Sequence, residues 1–320
     1  MSDLEVRLDP WQVDYGSELP RDADEECDQQ LAQFDVERPL AEWAPIVPAH
    51  SPPLAQVAFV DGVRRIDARV IARRGTRVLH GALGSFAVGS VRVVDGEARY
   101  GDARVDRVFV LGGGERHEDL FLVRDQVCFR PLSTSLTEAD APLDVIQGEM
   151  RAAEETLARE LVASLAALVV VDGPLSFNAG GSGGAVGFIK RLFKLYVPEE
   201  QIELLAALPS RSRTPIFALR GSQRFARFSW FVRLATPMRY DSSLAGIARL
   251  EVVETVGVDA ARRIADWTAA WLPRFAPSRG RDPRAPQNLL PIGALESHLR
   301  RAMGDPQLVR RWIESRIGAG

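Results

Sequence analysis

Two aspartates stand where apolar, β-branched runs stop. Asp61, followed by Gly62, closes the run that begins at Ala55; Asp172, followed by Gly173, closes Leu168-Val-Val-Val171. Such runs are buried strands, and a carboxylate at the end of one sits at the C-terminal edge of a sheet. Two such edges side by side offer the hard oxygen ligands that Mg2+ or Mn2+ prefers. Paired ions about 3.5–4 Å apart stabilise both the attacking and the leaving oxygen of a phosphodiester displacement. With an acidic helix between the two aspartates in the chain, the pattern points to a two-metal nuclease site. An isolated Asp-Gly is equally a strand-ending turn. Val94-Asp95-Gly96, between short alternating segments, is the control and reads as a hairpin turn only.

The helix covers residues 144–166. Ile146, Met150, Ala153, Leu157, Leu161 and Leu165 recur at i, i+3 and i+4. Glu154 borders the face of Leu157 and Leu161, Glu155 points nearly opposite, and Glu149 lies on the other border. By period alone Glu154, Glu155 and Glu149 all stay open as the ligand.

Cations are unevenly chosen: 38 Arg and only two Lys, Lys190 and Lys194. Lys190, in the strand-like segment after a glycine-rich bend, is placed to hold a scissile phosphate or to stabilise developing charge. The bend is not a P-loop, because its spacing is wrong and Arg191 stands where Ser or Thr must bind magnesium. In the strand-like stretch 224–234, Phe228, Trp230, Val232 and Leu234 share a core face. Arg227, Ser229, Phe231 and Arg233 share the other, which reads either as a contact for single-stranded nucleic acid or as a solvated sheet face.

The elements that must position these groups follow the same logic. Residues 54–60, 65–73 and 77–88 read as three strands with short turns, and 90–94 with 98–100 as a hairpin. The helix leads into the strand at 168–171. Strands follow at 215–219, 225–234 and 247–254, then a helix at 259–275, a Pro-rich break at 277–286 and two short helices. A helix is also expected near residues 25–34.

The 320 residues are 46% hydrophobic and 26% charged, the balance of a globular protein with a sizeable core. Apolar runs fall short of the ~20 residues of a membrane span, and no signal-peptide core is evident. Cys27 and Cys128 are too few for a disulfide framework or a zinc site, so a cytoplasmic protein is expected. The net charge of −3 conceals a division: residues 1–50 carry 13 acids against 3 Arg, leaving the remainder basic by 7. That suggests an acidic N-terminal arm and linker (1–50), able to mask a polyanion-binding body (51–320).

The motifs in order, Phe59-Val-Asp-Gly-Val-Arg-Arg65, the helical Glu154, Val171-Asp-Gly-Pro-Leu175 and Val186-Gly-Phe-Ile-Lys-Arg191, resemble those of the NurA nucleases. The resemblance covers roughly residues 54–310. It implies an α/β, RNase H-like mixed sheet with flanking helices and a β-rich insertion. It further implies a homodimer, Mn2+- or Mg2+-dependent DNA hydrolysis in DNA end processing, and a HerA-type hexameric translocase as partner. Asp61 and Asp172 match the family's first- and second-strand aspartates, and Glu154 its helical glutamate, with Glu155 as the fallback and Glu149 a further candidate. A C-terminal histidine completes the family's site. Here His298 is the only histidine after the second aspartate, in surroundings that depart from the pattern, and Glu296 is the alternative. His50, His80 and His117 have no partner motif. The competing expectation is a catalytically silent subunit that binds DNA and a HerA-type ATPase.

Overall fold

The computed structural model describes residues 4–9, 31–49, 54–123, 126–165, 168–175, 177, 184–192, 194–221, 226–278 and 285–318. Its centre is three parallel strands: β3 (Gln56–Arg74), β9 (Leu168–Asp172) and β10 (Ala185–Ile189). Helices cover both faces, which is why these strands read as unbroken apolar runs. On β3, Ala58 and Val60 face one layer and Val57 and Phe59 the other.

The first layer is α1 (Ala141–Ser164), whose Ile146, Met150 and Leu157 pack against Val60, Val169 and Val171. The second is built by α3 (Val258–Trp271) and α4 (Leu290–Ala302), with Trp267 and Ile292 against Phe59, Val170 and Phe188. α2 (Ile202–Ala207) and α5 (Pro306–Gly318) lie toward the two ends of the sheet, where Leu205 and Ile313 join separate apolar clusters.

Antiparallel strands extend the sheet both ways. Beyond β10 come β13 (Ile247–Val253), β12 (Arg227–Arg233), β11 (Phe217–Arg220) and β2 (Leu31–Gln33). Beyond β3 come β4 (Arg77–Val94), β6 (Arg104–Leu111), β8 (Val127–Ser133) and β7 (Leu120–Leu122). β1 (Leu4–Leu8) pairs with β3, and β5 (Glu97–Tyr100) with β4.

Four expectations change. Residues 54–60 and 65–73 are not two strands but one, β3, of 19 residues. No turn intervenes at Asp61-Gly62, because β4 pairs with β3 through both residues. The irregularity comes later, between Ile66 and Ala68. There Asp67 is buried and accepts from Ser85 Oγ at 2.5 Å and Arg65 Nε at 2.6 Å.

The second change concerns the N-terminus. Within residues 1–50, β1 and β2 are strands of the sheet, Trp43 is buried, and Glu37 accepts from Arg213 and from the Ile216 N–H. The third is the helix expected at 25–34: residues 31–33 are strand, and 25–30 lie outside the described residues. Most of the glycine-rich bend, residues 178–183, does too.

The fourth change is on β12, where both faces are buried. Arg227 and Arg233 lie inside the protein, as Phe231 does. Arg233 donates to the carbonyls of Leu205, Ala206, Leu208, Ser243 and Ala245, tying together the loops at the end of its strand. This face therefore offers no surface to nucleic acid. The turn at Asp95-Gly96 is as expected, with both φ angles positive, 50° and 85°. Among the described residues, no helix is long and apolar enough to cross a membrane.

Candidate metal centre

The parallel register pairs Val60 with Val171, which brings the next residues, Asp61 and Asp172, side by side on one face of the sheet. Asp172 ends β9, and Gly173 turns away at a φ of 106°, a conformation that favours glycine. The turn is tied down twice: Gly173 N–H donates to Phe188 O at 2.9 Å, and Leu175 N–H to Glu251 Oε1 at 2.9 Å. Asp61 sits within β3, 6% exposed. Its Oδ1 accepts from Gly62 N–H at 2.8 Å, while Oδ2 is buried without a hydrogen-bond partner among the described residues.

Two further carboxylates approach this pair from opposite layers. Glu154 comes from α1, against the backbone of Gly62. A Cβ on Gly62 would lie 2.5 Å from Glu154 Oε1, so glycine there lets that carboxylate approach, and any side chain would push it aside. Glu296 comes from α4, 6% exposed. Ligand oxygens of Asp61, Asp172 and Glu296 all lie within 4.8 Å of one another. Lys190, the residue after β10, places Nζ 2.5 Å from Asp172 Oδ2, 3.2 Å from Asn288 Oδ1 and 3.8 Å from Glu296 Oε1.

The electrostatics follow from this crowding. Burial, then the charges of Asp172 and Glu154, push the Asp61 carboxyl well above the usual range, with Lys190 opposing. Burial and Asp172 push Glu154 up to about 8, against Arg151, the Gly62 N–H and Lys190. Burial works against charge on Lys190, but Asp172, Asp61 and Glu296 outweigh it and raise its pKa. Lys190 is bonded to Asp172, Arg151 acts on Glu154 and Arg300 lies 3.8 Å from Glu296 Oε2; four carboxylates against these three cations still leave a deficit of positive charge. All-oxygen donors, an Asp61 oxygen without a hydrogen bond and that deficit together fit a hard divalent ion. The site opens into a cleft of about 450 Å³ whose walls include Asp61, Arg151, Glu154, Asp172, Lys190 and Arg191.

Of the residues expected from sequence, Asp61, Asp172, Glu154 and Lys190 meet here. The other two glutamates of α1 do not join the cluster: Glu149 pairs with Arg130 at 2.8 Å and Glu155 with Arg159 at 2.6 Å. His298 does not join the cluster: it stacks on Tyr100, ring centroids 4.3 Å apart, whereas the alternative, Glu296, lies beside the two aspartates. Residues two positions apart on a helix point about 200° apart, so Glu296 and His298 cannot both face one site. A signal for this existed, since Glu296 lies nearer than His298 to the apolar stripe of Ile292, Leu295 and Leu299. Asn288 was missed; nothing local marks it, and a loop from the far end of the chain delivers it.

No protein-family model matches the chain, and no curated protein does. Among solved structures, the chain is similar to the NurA nuclease from Sulfolobus solfataricus, with TM-score 0.50 and 14% identity, over 87% of this chain and 88% of that one. It also aligns with the catalytic domain of human Endonuclease V at TM-score 0.31 and 17% identity, over 78% of this chain and 85% of that one. The mixed sheet, its flanking helices and this likeness show an RNase H-like mixed sheet, the fold of that NurA structure.

Proposed function

We propose that the protein is a divalent-metal-dependent deoxyribonuclease, hydrolysing phosphodiester bonds in DNA end processing. The observation that carries this reading is the undercompensated carboxylate cluster at the floor of an open cleft, on a sheet of nuclease type. Asp61 and Asp172 would hold the ion, Mn2+ or Mg2+, with Glu154 and Glu296 as flanking carboxylates. When bound, such an ion polarises a phosphoryl oxygen and lowers the pKa of a water.

The chain's own groups do the rest. Gly62 leaves Glu154 free to reach the Asp61 side. The Glu251 contact to Leu175 fixes the backbone behind Asp172, so that its carboxylate points into the cleft without reorganising. Lys190 offers a positive charge to the phosphate, and Arg151 and Arg191 extend it along the walls. A homodimer and a HerA-type hexameric translocase as partner belong to the same reading and rest on the resemblance in sequence motifs.

The test is degradation of end-labelled single- and double-stranded DNA by the purified protein with Mn2+, Mg2+ or EDTA. Cleavage that needs the metal supports the reading. Salt-sensitive DNA binding without cleavage under any metal would instead assign a silent subunit that serves a motor.

A further inference from the structure

The cleft continues past the carboxylates along α1. Gln147, Arg151 and Glu154 all line it, and at about 100° per residue they fall within about 60° of the helix. The face of β3 that meets α1 keeps step with them. Gly62 lies against Glu154, and Arg64, two residues on, donates its Nε to Gln147 Oε1. Gln147 is a neutral acceptor, so it fixes the guanidinium without cancelling its charge. Other arginines beside α1 are cancelled: Arg104, Arg130 and Arg159 pair with Glu160, Glu149 and Glu155. Arg64 is half-buried and makes no ion pair among the described residues. Asp144 acts on it at longer range, and the like charge of Arg151 acts against it.

We propose that Arg64 and Arg151 form a second anion site in the cleft, which holds a DNA phosphate next along the strand from the one at the aspartate pair. This rests on the nuclease reading above and gives the bound strand a course. Gln147 engages only Nε of Arg64. The two Nη groups that remain are the fork that pairs with a phosphate through parallel N–H bonds. Two like charges held near each other on a half-buried wall repel, and an anion between them relieves that repulsion. Because Gln147 already holds the guanidinium in place, less ordering is left for the bound phosphate to impose. Arg64 stands two residues from Gly62 along β3, and Gln147 two helical turns from Glu154, about 7–10 Å in each case. That is the scale of a nucleotide step, so a strand seated on both sites runs along α1. Arg64 is a binding residue here and touches no reacting atom.

The test is binding of a short labelled single-stranded oligothymidylate to the full-length chain in EDTA, read by fluorescence anisotropy over a range of salt. Arg64→Gln should weaken binding by about fivefold and flatten the slope of log K against log salt by about 0.7, the share of one phosphate on a single strand. Arg64→Lys keeps the charge without the fork; it should keep the slope and lose only about twofold in affinity. Arg99→Gln, the same change of charge at an exposed residue paired with Glu97, should leave affinity and slope as they are. With Mn2+ present, Arg64→Gln should raise KM for cleavage and leave kcat within about twofold. Arg151→Gln should match Arg64→Gln in EDTA, and it decides where that variant does not fold. Wild-type affinity and slope in either folded variant overturn the inference, as does an equal loss in Arg99→Gln. The expected binding pattern without cleavage under any metal removes the nuclease reading and leaves the anion site standing. A wild type that binds no DNA overturns both.

Discussion

Two buried carboxylate clusters lie two strands apart in this sheet, and they are built on opposite terms. On β13, Glu251 is fully buried, yet Arg227 at 2.7 Å, Arg249 at 2.8 Å and the Leu175 N–H saturate it. Burial alone would raise its pKa; Arg227 and Arg249 outweigh burial and hold it below the usual value. Around Asp61, burial is similar but four carboxylates outnumber Lys190, Arg151 and Arg300, and the pKa values of Asp61 and Glu154 move up instead. The first cluster is complete within the chain and serves as a brace. The second is short of positive charge, which is what a cation site needs and a brace does not.

Opposite substitutions should separate them. Asp61→Asn should lower DNA cleavage by about a thousandfold or more. The same change should leave unfolding stability level or raised, because it removes a charge that the fold does not compensate. Both are read from single-turnover cleavage and urea unfolding of one preparation; activity near wild type would break the contrast. Glu251→Gln should do the reverse to stability, costing about 3–5 kcal/mol in urea unfolding, because two guanidiniums lose their buried partner.

Gly62→Ala sharpens the comparison on the metal side. Its Cβ, 2.5 Å from Glu154 Oε1, must displace that carboxylate. Mn2+ affinity should fall by about tenfold, with a stability cost of about 1–3 kcal/mol. Unchanged Mn2+ binding in this variant would remove Glu154 from the ligand set.

The smallest effect is the pH dependence of the metal-free protein. Glu154 has its pKa raised from 4.5 to about 8 in the folded state, so the folded chain keeps a proton that the unfolded chain has released. Stability should therefore fall as pH rises between those values and level off above them. Melting across that range should show a shallower slope in Glu154→Gln.

How much of this was legible depended on whether the determinant was local. Asp172 was, because an apolar strand stops at it. Asp61 was found, but its strand was cut short. Arg64 and Arg65 after Gly62 look like a turn, and only the pairing with β4 carries β3 through them. Glu154 came from the resemblance, with helical period in support. Between Glu296 and His298, ligand type pointed to the histidine, whereas the apolar stripe pointed to the glutamate that lies beside the aspartates. The arginines of β12 alternate as a solvated face would. What buries them is Glu251 on the neighbouring strand and the carbonyls of distant loops, which no window of sequence brings together. The role of the first fifty residues was hidden for the same reason, since their partners Arg74 and Ala218 lie far along the chain.

The measurement closest to the central claim is the melting temperature of wild type, Asp61→Asn and Glu251→Gln with and without saturating Mn2+. Binding at about a hundred times Kd stabilises a folded protein by about 2.7 kcal/mol, which reads as a rise of several degrees. The account predicts that rise in wild type, none in Asp61→Asn, and a rise from a lower starting point in Glu251→Gln. A wild type indifferent to Mn2+, or an Asp61→Asn variant stabilised as much as wild type, would contradict it.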